Sequence, residues 1–176
     1  MNGTLRLILF DVDGTLVDSQ DDIVRSMTLS FEALGLTSPK RSEIVEIIGL
    51  SLETAVIRLM PGLAEPLYEN LVIGYKAAYK GLRAHNGTTL SSPLYPNARV
   101  VLQSLWAKSE YLVGVATGKP RRGLDILLEE HGLSDYFFTV QCADLHPSKP
   151  HPAMLQAALA ETEVEAKLSL IHISEP

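Results

Sequence analysis

One cysteine, Cys142, stands among 176 residues. A lone thiol closes no internal disulfide, so the chain is not a small stapled domain of an oxidising compartment. Cys142 follows an apolar run and reads as a core thiol. Basic residues are also in deficit: 15 Lys and Arg face 21 Asp and Glu, a net charge of −6. That balance lacks the electrostatic footprint of a nucleic-acid or anionic-membrane partner. No apolar run approaches the ~20 residues that cross a bilayer. The N-terminus reaches its first apolar run within a few residues and shows no signal-peptide pattern, so a cytoplasmic protein is expected. The last scarcity is local: no aspartate follows Asp144. What is abundant is apolar surface. Hydrophobic residues make up 46% of the chain, enough for a real core in one domain or a domain carrying an insertion.

The stretch LILFDVDGTLVDS, Leu7 to Ser19, concentrates the chemistry. A short apolar run, Leu5 to Phe10, reads as a buried parallel strand. It is cut off by Asp11 and Asp13. Strand side chains alternate faces, so these two carboxylates point the same way. Side by side at a strand end, they repel unless a cation sits between them or one holds its proton. In open α/β sheets that strand end is where ligands bind. An Asp-Gly turn explains Gly14 but not Asp11.

The pattern changes along the chain. Ile23, Met27, Phe31 and Leu34 recur at helical spacing behind a cap at Asp18 or Ser19. Ser42–Ile48 and Ser51–Met60 read as further helices. Leu67, Leu71, Tyr75 and Tyr79 mark one face of a fourth. Gly81 to Pro96 is rich in Gly, Ser, Thr and Pro and reads as a linker. Helix and strand then alternate: helix 97–108, strand 111–116, helix 121–130, strand 136–141, helix 151–160. Repeated βα units imply a parallel sheet with right-handed crossovers. The expected fold is therefore α/β: a Rossmann-like parallel sheet over residues 1–15 and 90–167, with a helical cap inserted at 16–89.

DVDGTLVDS resembles the first motif of the haloacid dehalogenase-like phosphohydrolases. The resemblance implies that Asp11 is a nucleophile that becomes an aspartyl-phosphate. It implies that Asp13 is the general acid and base, and that Asp11 and the Asp13 main-chain carbonyl bind Mg²⁺. VGVATGK, Val113 to Lys119, looks like the second motif, with Thr117 and Gly118 as phosphate donors near a helix start. SKPHPAM, Ser148 to Met154, looks like the third, with Lys149 relieving repulsion between the nucleophile and a dianionic phosphate. Lys119, Arg121 and Arg122 are as well explained as solvated cations at a helix start. Asp144 reads as a solvated loop residue, and His146 and His151 as non-ligands. Arg83 and His85, in the linker, could meet a substrate anion, but are expected to face solvent. The implied activity is Mg²⁺-dependent hydrolysis of a small phosphorylated metabolite. The look of TGKPRRGLD and SKPHPAM is nearest to phosphoglycolate-phosphatase-like members. A sugar-phosphate phosphatase or phosphomutase is the alternative.

The family's fourth motif, an apolar strand ending in acidic residues, is missing. In its place stands LSLIHISEP, Leu168 to Pro176. These nine residues match the translation of a transposase-type sequencing adapter. Residues 168–176 are therefore expected to be non-native, and His172 and Glu175 to carry no functional weight. The resemblance covers Leu5 to Lys167. By the same reasoning, the 176 residues alone are expected to lack a carboxylate for the metal and to be essentially inactive.

Overall fold

The computed structural model describes residues 5–86 and 92–172. Its centre is a four-stranded, wholly parallel sheet in the order β3-β2-β1-β4. β1 is Arg6–Phe10, β2 Tyr111–Thr117, β3 Thr139–Cys142 and β4 Ser169–His172. Alternation along β1 builds two cores. Ile8 and Phe10 join Val113, Val115, Leu102, Leu124, Leu127 and Cys142 on one side. Leu7 and Leu9 join Ala158 and Val164 on the other. Both faces being covered is what an all-parallel sheet requires, and it explains why the strand reads as an unbroken apolar run. Each such side chain taken from water stabilises the fold by about 1.5–3 kcal/mol.

Helices α1 (Gln20–Ala33), α2 (Arg41–Val45), α3 (Leu52–Leu59) and α4 (Glu65–Asn86) follow β1. They enclose their own core of Ile23, Met27, Phe31, Ile44, Ile47, Val56 and Leu71. Three further helices, α5 (Ala98–Trp106), α6 (Arg121–Glu130) and α7 (Ala153–Thr162), cover the sheet. The two connections between the helical segment and the sheet run side by side. The Asp18 amide donates to the Pro93 carbonyl and the Tyr95 amide to that of Leu16, at 2.8 and 2.9 Å.

Two elements depart from the sequence reading, and the tail supplies the fourth strand. α4 does not stop near Tyr79 but continues through Gly81 to Asn86. A glycine inside a helix costs only about 1 kcal/mol. Leu82 and Arg83 stay half-buried as α4 extends, and α4 packs along α1. Of the expected linker, residues 81–86 are therefore helical, and 87–91 lie outside the described residues. Tyr136 ends a 3₁₀ turn instead of opening a strand, and β3 starts at Thr139. Its ring meets that of Trp106 edge-on at 6.1 Å, which uses the aromatic for packing rather than pairing. Finally, LSLIHI contributes a strand: residues 169–172 pair with β1 in register, Leu7 opposite Ser169 and Phe10 opposite His172.

Candidate active site

The chain leaves β1 through Asp11-Val12-Asp13 and turns at Gly14, whose φ of +80° favours glycine. The amides of Leu16 and Val17 donate back to the Val12 carbonyl, tightening the loop that carries both carboxylates. Asp11 is buried, and its Oδ1 accepts the Val12 amide at 2.7 Å. Its Oδ2 lies 2.7 Å from Lys149 Nζ. Burial pushes the Asp11 carboxyl above its ordinary range, while Lys149 pulls the other way. Lys149, from the third motif, thus lies against the first aspartate.

Asp13 Oδ1 accepts the Ser19 hydroxyl at 2.6 Å and lies 3.1 Å from Lys119 Nζ. Both partners depart from the sequence reading. Ser19 stands at the N-cap of α1 but makes no side-chain cap bond, because its hydroxyl is taken by Asp13. Lys119 is not a solvated cation: its side chain is 7% exposed. Burial, the largest single influence, lowers its pKa, but Asp13 and the Tyr79 hydroxyl together outweigh that and the net shift is upward. Lys119 also donates to the Tyr79 hydroxyl at 3.4 Å, so α4 reaches down to the sheet end. The signal for Lys119 lay in VGVATGK itself: a residue two past a buried strand end remains close to the strand's neighbours.

Thr117 closes β2 and is fully buried, its hydroxyl accepting the Lys119 amide at 3.2 Å. Gly118 has no room for a side chain, since a Cβ there would stand 2.4 Å from the carbonyls of both Gly49 and Leu50. The loop from the helical segment therefore lies directly on the second motif. The same loop touches the third: the Ser51 amide donates to Ser148 Oγ at 2.9 Å. A Cβ at Gly49 would meet Asp11 Oδ2 at 3.4 Å. We expect Gly118→Ala to displace this loop, at a cost of about 1–3 kcal/mol. A melting curve checks the stability, and the affinity for inorganic phosphate checks the site.

A cavity of about 370 Å³ opens beside Asp11, lined also by Lys149, Leu50, Arg58, His151 and Met154 among others. Its size suits a small molecule. The remaining candidates fall elsewhere. His146 hydrogen-bonds Gln141 Oε1 at 2.7 Å. Asp144 is not simply solvated: its carboxylate accepts the Arg121 amide at the start of α6, a favourable place for negative charge. Arg121 pairs with Asp125 at 2.8 Å. Arg83 departs from the expectation of solvent exposure, because the continued α4 keeps it over the Tyr79 ring.

Asp11 and Asp13 are the carboxylates here that could hold a divalent cation. Among the described residues no group of three His, Cys, Asp or Glu side chains does so. Two hard oxygen donors at a strand end fit Mg²⁺, which retains waters and takes few protein ligands. Glu175 lies outside the described residues. Among the described residues, no helix is long and apolar enough to cross a membrane.

Comparison with known proteins gives the same picture. The chain is 28% identical over 171 residues to a phosphoglycolate phosphatase of Vibrio parahaemolyticus, covering 95% of this chain and 74% of that protein. It is 34% identical over 168 residues to the phosphoglycolate phosphatase of Nitrosococcus oceani, covering 94% and 73%. A crystal structure of a predicted phosphoglycolate phosphatase from Haemophilus somnus superposes with a TM-score of 0.81 at 24% identity, covering 95% of this chain and 76% of that one, and so shares the fold. The family model described as haloacid dehalogenase-like hydrolase matches residues 8–171, past Lys167 and into β4. On that match and those relatives, this chain belongs to the haloacid dehalogenase-like hydrolase family and is a hydrolase.

Proposed function

We propose that the protein is a Mg²⁺-dependent phosphomonoesterase for a small phosphorylated metabolite, with 2-phosphoglycolate as the first candidate. The observation that carries this reading is the pairing of each motif aspartate with its own cation, Asp11 with the half-buried Lys149 and Asp13 with the buried Lys119. The relatives' names support the substrate.

Asp11 attacks phosphorus in line, forming a carboxylate oxygen–phosphorus bond as the ester oxygen leaves. Asp13 gives its proton to the departing alkoxide. In the second step Asp13 takes a proton from a water that attacks phosphorus, and the Asp11 carboxylate departs. Lys149 offsets the repulsion between Asp11 and the incoming dianion. Thr117 and the Gly118 amide hold phosphoryl oxygens. Ser19 and Lys119 fix Asp13 against the loop so that its free edge is the one that moves a proton. Mg²⁺, held by Asp11 and the Asp13 main-chain carbonyl, would neutralise charge on the transferring group. The segment 16–89 acts as a cap over this site, resting its 49–51 loop on the second and third motifs.

From their adapter-like text we further infer that residues 168–176 are foreign to the protein. Residues 169–172 still pair with β1 as β4. Phosphate release is therefore measured for the 176-residue chain and for an extended chain. In the latter, residues 1–167 continue into the C-terminal segment of the Nitrosococcus oceani relative. The extended chain should hydrolyse 2-phosphoglycolate in Mg²⁺ and lose that activity in EDTA. The 176-residue chain should be slower by orders of magnitude. Sugar phosphates outranking 2-phosphoglycolate would favour a sugar-phosphate phosphatase or phosphomutase. Equal turnover by both chains would refute the foreign-tail reading.

A further inference from the structure

Helix α4 carries Tyr75, Tyr79 and Arg83 at four-residue intervals on one face. The Tyr75 and Tyr79 rings stack at 5.8 Å between centroids. Two cations share the Tyr79 ring: Lys119 Nζ is 5.3 Å from its centroid and Arg83 Cζ 5.4 Å. Their charges are not treated alike. Lys119 has Asp13 at 3.1 Å. Arg83 has no ion pair among the described residues, and its Nε and Nη2 are buried without a hydrogen-bond partner.

A guanidinium does not shed its proton at any ordinary pH, so it cannot escape this position by neutralising. Leaving two of its N–H groups dry and unpaired is costly, and native proteins pair such groups. Nε and Nη2 form one edge of the guanidinium fork. That edge offers two parallel N–H donors at the spacing of a carboxylate's two oxygens. On the facing helix α1, Asp22 Oδ2 and Ser26 Oγ are also buried and unpartnered. Asp22 forms no ion pair with Arg83 in this structure, so among the described residues nothing consumes the arginine's edge.

We propose that Arg83 is a specificity residue whose Nε–Nη2 edge binds a carboxylate of the substrate, while the motif residues hold its phosphoryl group. Lys119 and Tyr79 tie that edge to the acid/base aspartate, so recognition at Arg83 is coupled in space to the reacting end. The proposal rests on the phosphomonoesterase reading and adds to it the residue that reads the carboxylate of such a substrate.

Binding tests it without requiring turnover. The extended chain carrying Asp11→Asn is titrated by calorimetry in Mg²⁺ with 2-phosphoglycolate and with ethyl phosphate, which lacks the carboxylate. Arg83→Gln should weaken 2-phosphoglycolate at least about tenfold, the loss expected for a charged hydrogen-bonding pair, and change ethyl phosphate by less than about twofold. Arg83→Lys, which keeps the charge without the fork, should recover only part of the loss and guards against a variant that fails to fold. Equal weakening of both ligands, or of neither, overturns the proposal and leaves the phosphatase reading standing. So does an Asp22→Asn variant that lowers the melting temperature as Arg83→Gln does while neither alters the ligand preference, since that marks an internal Arg83–Asp22 pair. Failure of both ligands to bind the parent chain overturns the phosphomonoester reading and this inference with it.

Discussion

Asp11→Asn in the extended chain should cut turnover of 4-nitrophenyl phosphate more than about a thousandfold, the order seen when a covalent nucleophile is removed. Asparagine keeps the volume and can still accept the Val12 amide, so a loss of this size would not come from collapse of the loop. The fold should survive, as circular dichroism would show. The stability effect has a defined pH dependence. Burial raises the Asp11 pKa above its ordinary value of 3.8, so the native state holds this proton more firmly than the unfolded chain. Between 3.8 and the folded value, the unfolded chain has released a proton that the native state keeps. This group's contribution to stability therefore falls as pH rises through that window and stays lowered above it. Relative to the Asn variant, the parent should lose stability as pH climbs from about 4. Only that slope is diagnostic, because the variant also leaves Lys149 without its anion.

Asp13→Asn should separate the two chemical steps. With an alkyl phosphate the leaving oxygen needs a proton, so both formation and breakdown of the acyl-phosphate suffer, and turnover should fall by about 10²–10⁴. With 4-nitrophenyl phosphate the leaving group departs without help. The first step then proceeds while the second, which needs Asp13 to deprotonate water, stalls. The expected trace is a burst of about one nitrophenolate per protein followed by slow release. A uniform slowing of both substrates without a burst would remove Asp13 from the second step.

The first two motifs were legible in the sequence because each is a local event where an apolar run stops, at Asp11 and at Thr117. The third was read from its likeness to a family motif, because Lys149 lies seven residues past the end of β3. Lys119 was not legible to the same degree. Its role depends on Asp13, more than a hundred residues away in sequence, and on Tyr79 from another helix. Ser19 misled for the opposite reason. Serine before a helix has a ready local explanation as a cap, and only the folded loop shows that its hydroxyl serves Asp13. The end of α4 was missed because glycine composition was read as a break. Packing along α1 decides that segment, and with it the position of Arg83. Tyr136 was counted into β3 on its β propensity, but its ring is engaged by Trp106.

The central claim is that Asp11 carries the phosphoryl group during turnover. The direct measurement is mass spectrometry of the Asp13→Asn extended chain, quenched in acid during the stalled phase with 4-nitrophenyl phosphate. The account predicts the added mass of one phosphoryl group on the peptide containing Asp11, and its absence when Asp11→Asn is introduced as well. A phosphoryl group on any other residue, or an unmodified Asp11 peptide alongside a full nitrophenolate burst, would contradict it.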